Sequence, residues 1–189
     1  MKDDTQLIWT EKSRKLIAPC RIFDLYQVFR RSPDGREVDI YLLDTPDWVT
    51  VLPLVKKNGR DHFLMVRQFR QGSGSITMEF PAGTVESGEN PEDTALRELA
   101  EETGYGFDRL TLLGKVNPNP AFLNNTFYAF LAEGVAQIQK QELDKDEIIR
   151  PVLIPADEVI RNLGTGEYIN GTQMAALLFY LRSLHPGGQ

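Results

Sequence analysis

The sequence predicts an α/β protein, an α/β/α sandwich with a small antiparallel β unit ahead of it. Residues 48–55 and 63–70 are almost continuously apolar in their middles, the pattern of strands covered on both faces. Residues 91–103 and 170–184 repeat apolar side chains at helical spacing, so two helices are available to cover those faces. Residues 7–43 instead run in short β-rich bursts around the turn Ser32-Pro33-Asp34-Gly35.

In the N-terminal unit the bursts are Leu7-Ile8-Trp9, Lys15-Leu16-Ile17 and Arg21 to Phe29, with a return from Val38 to Leu43. So few apolar residues do not make a stable core, so the unit must pack on the main body or on another subunit. Trp9 reads as core or interface filler, or as a ring that stacks on a substrate base. Cys20 reads as small apolar filler in a strand. Asp44-Thr45-Pro46-Asp47 breaks the chain and divides an N-terminal β subdomain, 1–45, from a main domain, 46–189.

The main domain opens with strands at Trp48–Val55 and Phe63–Arg70 joined through Asn58-Gly59. Arg67 and Arg70, three apart, point to opposite faces, so only one can serve a site. A loop, Gln71 to Ser75, precedes the strand Ile76 to Phe80. Glu79 there either supports a neighbouring metal site or faces outward. Strands follow at Leu110–Val116 and Thr126–Ala132, separated by the rigid Asn117-Pro118-Asn119-Pro120 loop. Gln139 to Glu147 is a polar, acidic loop before the strand Ile148–Ile154. A short helix opens at Pro155 and ends near Gly164. The last helix takes Asn170 as N-cap, runs through Met174, Leu177, Leu178, Leu181 and Leu184, and stops at Pro186-Gly187-Gly188. It should cover the sheet face opposite the first helix. His62 and His185 are assigned no role.

Composition limits the function classes. A chain of 189 residues, 41% hydrophobic, supports one substantial core with an appendage. Its net charge of −6 and lack of a basic run argue against a nucleic-acid-binding surface. The single cysteine excludes an internal disulfide and fits a reducing compartment. Neither a signal peptide nor a membrane span is visible, so a cytoplasmic location is expected.

The chemistry concentrates in residues 83–105. On the helix that begins at Pro91, Leu96, Leu99 and Thr103 form one stripe, with Ala95 at its edge, and that stripe should be buried. Glu98 and Glu102 stand about 40° apart opposite Leu96, and Glu101 lies about 60° from Glu98. Carboxylates at such spacings repel, and Arg97 alone cannot neutralise three of them. A hard divalent cation can, since Mg²⁺ or Mn²⁺ prefers carboxylate, phosphate and water oxygens. The glycine-punctuated entry, Pro81-Ala82-Gly83 and Gly88-Glu89-Asn90-Pro91, brings main-chain carbonyls toward the same place, and Gly104 is a good residue to end the helix.

Gly83, Glu89, Arg97, Glu98, Glu101, Glu102 and Gly104, with Leu99 and Tyr105 at the apolar places, meet every fixed position of the Nudix box. The chain thus resembles the Nudix hydrolases, and more narrowly their ADP-ribose pyrophosphatase and nucleoside-diphosphate-sugar hydrolase branch. The resemblance implies a Nudix-type α/β/α sandwich with a mixed β-sheet. It also implies Mg²⁺-dependent attack of water on the diphosphate of a nucleotide-sugar substrate, with Mn²⁺ as a substitute.

On that resemblance Glu98 and Glu102, with the Ala82 carbonyl and Glu101, would hold the metal, and Arg97 would orient the glutamates. Glu89 would brace the loop or complete the metal shell. The Gln-aromatic-Arg element selects Arg70 as the substrate contact, and Pro120 matches the proline that accompanies ADP-ribose substrates. Glu147 is the counterpart of the water-activating glutamate, with Glu142 second and Glu98 or Glu101 as the base otherwise. The N-terminal unit is expected to cross into a partner, making a homodimer. Two other readings share the sequence: a pyrophosphohydrolase of nucleoside triphosphates or dinucleotides, and a non-catalytic module that binds a nucleotide sugar as a regulatory ligand.

Overall fold

The computed structural model describes residues 4–145 and 147–185, so the Pro186-Gly187-Gly188 stop lies outside the described residues. The chain divides into two compact units, Met1–Pro46 with Asn117–Thr126, and Asp47–Val116 with Phe127–Gln189.

In the first unit β1 (Thr10–Pro19), β2 (Asp24–Arg31) and β3 (Glu37–Asp44) form an antiparallel sheet in the order β1-β2-β3. The β2–β3 turn is closed by the Gly35 N–H donating to the Ser32 carbonyl at 3.0 Å. Leu7-Ile8-Trp9 is not a strand. Asp4–Leu7 makes a 3₁₀ turn whose Thr5 carbonyl accepts the Ile8 N–H, so Leu7 and Ile8 project into solvent and β1 starts only at Thr10. Cys20 is also not strand filler: it is exposed in the β1–β2 connection, just past Pro19. The proline loop belongs to this unit. Leu43 N–H donates to the Phe122 carbonyl at 2.9 Å, and Asn124 Nδ2 donates to Asp44 Oδ1 at 2.6 Å.

The second unit comprises β4 (Trp48–Lys57), β5 (Arg60–Arg70), β6 (Ser75–Glu79), β7 (Ala82–Thr84), α1 (Pro91–Thr103), β8 (Tyr105–Gly106), β9 (Arg109–Val116), β10 (Phe127–Glu133), β11 (Ala136–Gln137), β12 (Ile149–Pro155), α2 (Ala156–Asn162) and α3 (Gly171–Ser183). Asn58 and Gly59, with φ of 52° and 75°, turn the β4–β5 hairpin in the doubly left-handed form that matches strand twist. Among the described residues seven strands form one sheet, in the order β12-β5-β4-β10-β9, with β6 on β5 and β7 on β4. The sheet is mixed, because β10 runs parallel to β4 while the other pairings are antiparallel.

Period-2 alternation distributes this sheet's side chains to two cores. Val49, Val51, Leu64, Phe130 and Ala132 meet Ala95 and Leu99 of α1. Leu52, Phe63, Met65, Phe127 and Ala129 meet α2 and α3 through Val159, Leu177 and Tyr180. Phe63 lies edge-on to both Phe80 and Tyr180 at 5.1 and 5.2 Å, a geometry worth about 0.5–1.5 kcal/mol per pair beyond area burial. An α/β/α sandwich results.

Two helix faces differ from their predicted ones. In α1, Leu96 is 44% exposed, and the buried set is Thr94, Ala95, Leu99, Glu102 and Thr103. The helix packs on β4, β7 and β12, which rotates its glutamate side inward and leaves Leu96 outside. In α3, Leu178 is exposed, as is Leu184 just past the helix end, while Gln173 is buried. Gln173 is satisfied there, since it accepts the Phe80 N–H at 2.8 Å and donates to Thr50 Oγ1 at 3.3 Å.

Candidate active site

Local signals place α1. Asn90 caps it by accepting the Asp93 N–H at 2.9 Å, Pro91 occupies its first turn, and Gly104 ends it at φ 79°, donating to the Ala100 carbonyl. Between β7 and the helix, Glu89 draws the loop shut. Its carboxylate accepts Arg97 Nε and Nη2 at 3.0 Å each, Thr94 Oγ1 at 2.7 Å and the Glu86 N–H at 3.2 Å. These donors, Arg97 foremost, hold the Glu89 carboxyl down at about 2. Every one of those bonds is internal to the loop and helix.

Arg97 continues from Glu89 to Glu98 Oε1 at 2.7 Å, Glu101 Oε2 at 3.1 Å and the Thr84 carbonyl at 3.1 Å. One guanidinium thus ties three acids and the end of β7 together, as its planar fork allows. Glu98 lies directly over Gly83: a Cβ there would meet Glu98 Oε1 at 1.8 Å. Burial pushes the Glu98 carboxyl up to about 7, against the pull of Arg97 and with Glu101 and Glu147 adding to the rise. Glu102 is 3% exposed and accepts the Ala82 N–H at 3.1 Å. Burial first, and then the neighbouring Glu98, raise it well above the ordinary carboxylate range.

Two carboxylates are therefore desolvated on one floor, and the charge of Glu98 adds to the cost of ionising Glu102. A hard divalent cation relieves both penalties, so these residues fit one. Among the described residues no three acidic, histidine or cysteine side chains are already gathered as a ligand set. Glu101, with its side chain 43% exposed, is turned toward Arg97.

Beside this floor lies a cavity of about 290 Å³ lined by Arg70, Glu79, Ala82, Gly83, Thr84 and Asn170, among others. Glu79 does not face outward; it is fully buried. Arg70 donates to it through Nε at 3.0 Å and Nη2 at 2.7 Å, and Thr77 Oγ1 adds a bond at 2.7 Å. Burial works to raise Glu79, yet the Arg70 bonds override it and hold the carboxyl low. Arg67 takes the other face and pairs with Glu167 at 2.9 Å. The two arginines divide as the strand alternation predicts, and Arg70 reaches the cavity already paired.

The loop after β11 lies at the far end of α1. Glu147, in this loop, is exposed, but its charge bears on Glu98, Glu102 and Arg70 alike. Glu142 contributes a main-chain bond, its N–H donating to the Glu101 carbonyl at 2.9 Å. Gln141, which no sequence signal marked, donates through Nε2 to the carbonyls of Glu102 at 2.6 Å and Ile149 at 3.1 Å. Trp9 and Pro120 lie in the other unit, where both line a cavity of about 540 Å³ with Arg14 and Arg30. Arg36 stands 5.8 Å over the Trp9 ring.

The NUDIX domain family matches residues 24–176. An "ADP-ribose pyrophosphatase" of Bacillus subtilis (strain 168) is 31% identical over 160 residues, covering 84% of this chain and 85% of the relative. A "Methanol dehydrogenase activator" of Bacillus methanolicus is 31% identical over 130 residues, covering 68% of this chain and 69% of the relative. A solved structure titled "Crystal structure of ADP compounds hydrolase" superposes with a TM-score of 0.82 at 23% identity, covering 95% of this chain and 96% of that one, a likeness of fold.

Proposed function

The chain belongs to the Nudix family of pyrophosphatase hydrolases, and we propose that it uses Mg²⁺, with Mn²⁺ able to substitute, to hydrolyse ADP-ribose or a related nucleoside diphosphate sugar. Water attacks one phosphorus, the P–O–P bridge breaks, and a nucleoside monophosphate and a sugar phosphate leave. The observation that carries the reading is the buried pair Glu98 and Glu102, whose burial is costly without a cation. The relatives' names support the substrate class.

Glu98, Glu102, Glu101 and the Ala82 carbonyl would hold the metal. Bound there, Mg²⁺ supplies charge neutralisation on the diphosphate oxygens and a more acidic attacking water. Arg97 keeps Glu98 and Glu101 aimed, and Glu89 keeps Arg97 in place. Glu147 accepts the proton of the attacking water, a step that typically contributes about 10² to 10⁴ in rate. Arg70, anchored on Glu79, presents positive charge to the substrate from the neighbouring cavity, and Pro120 and Trp9 contribute to substrate binding. The protein acts as a cytoplasmic homodimer on a small molecule and on no nucleic acid. No helix among the described residues is long and apolar enough to cross a membrane.

The test is a panel of ADP-ribose, nucleoside diphosphate sugars, nucleoside triphosphates and dinucleotides with Mg²⁺, followed by product analysis. Turnover of ADP-ribose or a diphosphate sugar to a monophosphate and a sugar phosphate is expected. Preference for a triphosphate or a dinucleotide overturns the substrate class. Binding without turnover of any member overturns the enzymatic reading.

A further inference from the structure

We propose that Gln141 is a positioning residue, whose side-chain amide sets the loop bearing Glu147 against the glutamate helix. The inference rests on the proposed role of Glu147 as the base.

A helix ends with carbonyls that lack partners within it. At the end of α1 the loop after β11 supplies them. Glu142 N–H donates to the Glu101 carbonyl at 2.9 Å, and Ile138 and Gln139 N–H donate to the Gly104 carbonyl at 2.9 and 3.1 Å. The segment passes so close that a Cβ on Gly104 would meet the Gln139 carbonyl at 2.6 Å. Main-chain bonds of this kind tolerate many side chains. The Glu102 carbonyl is different, because it is reached by a side chain, Gln141 Nε2, at 2.6 Å.

The same nitrogen also donates to the Ile149 carbonyl, at the first residue of β12. One amide therefore joins the start of the loop, its end, and the residue whose carboxylate the metal would use. Glu147 stands inside the closed neck. Within the loop it is held by a local turn, its N–H donating to the Asp144 carbonyl at 3.0 Å and its own carboxylate accepting the Asp144 N–H at 3.4 Å. That turn leaves its placement relative to Glu102 to the neck. A misplacement of about 1 Å of a reacting group can cost about a hundredfold in rate, so the neck is where catalysis is exposed to a remote substitution.

The experiment combines Gln141→Ala and Gln141→Met with Glu147→Gln in the full chain, measuring kcat, KM and thermal midpoint. Gln141→Met keeps length and packing while removing the donor, so it reads the bond where the alanine variant folds poorly. Each Gln141 variant is expected to lower kcat about tenfold to a hundredfold while KM changes less than about threefold. In the Glu147→Gln background the same substitution should change kcat by less than about twofold, because the group it positions is gone. An impaired Glu147→Gln with losses that multiply overturns the positioning role of Gln141. A Glu147→Gln of normal rate overturns the base assignment, and the proposal with it, so the two failures are told apart. A lower thermal midpoint with unchanged kcat would make Gln141 merely structural and overturns it as well.

Discussion

The Glu98 carboxylate rests where a side chain on Gly83 would begin: a built Cβ comes within 1.8 Å of Oε1 and 2.0 Å of Cδ. Gly83 is thus needed for the space it leaves. The group in the way is the end of a flexible side chain, so Gly83→Ala should displace the Glu98 carboxylate before it disturbs β7. Activity is expected to fall about a hundredfold while stability changes by less than about 1 kcal/mol. Equal activity, or loss of folding in a melt, would refute that separation.

The buried acids give the metal-free protein a pH signature. A carboxyl held up at about 7, as Glu98 is, keeps its proton when folded over a range where the unfolded chain has lost it. The resulting stability is fully present below the ordinary value of 4.5 and disappears as pH rises through 7. Glu98 alone should cost the chelator-treated protein on the order of 3 kcal/mol between about pH 4.5 and 7.5, and Glu102, shifted in the same direction, deepens the fall. Glu89 and Glu79, shifted downward, lose their contribution only at lower pH and do not mask this window. Mg²⁺ added near pH 8 should raise the midpoint by neutralising the buried carboxylate charge, and Glu98→Gln should flatten the profile. A flat wild-type profile between about pH 5 and 8 would remove the basis for the metal floor.

The two arginines of β5 should respond differently to truncation. Arg70→Ala strands the fully buried Glu79, whereas Arg67→Ala leaves Glu167, which keeps 36% of its side chain in water. The first change is expected to cost about 2–4 kcal/mol, discounted because Arg70 is itself 42% exposed, and the second far less. Urea titrations of both variants check the order, and Glu79→Gln in the Arg70→Ala background should restore part of the loss.

Arg97 meets its partners through three nitrogens at once. Lysine keeps the charge and loses the fork. Arg97→Lys should therefore cost about 2–3 kcal/mol and lower activity at least tenfold, with the apparent Mg²⁺ affinity falling too. Mg²⁺ titration of the rate measures the last effect; unchanged affinity would show that Glu98 needs no help to face the cation.

Chain-local rules made much of this protein legible as sequence. Asn90 and Gly104 bound α1, Asn58-Gly59 turns a hairpin, and the run from Gly83 to Gly104 marks the family, because capping, turn chemistry and motif spacing act over a few residues. Which way an element faces was not local. Periodicity puts Leu96, Leu99 and Thr103 in the core with Ala95 at the edge; Ala95, Leu99 and Thr103 are buried, but the sheet packs toward the glutamate side of α1, so Glu102 joins them and Leu96 is exposed. Only tertiary structure joined Arg70 to Glu79, laid Glu98 on Gly83, and brought Gln141 from 39 residues away to the Glu102 carbonyl. These partners meet because the sheet order brings distant strands and loops together, and no side chain carries that order in its own neighbourhood.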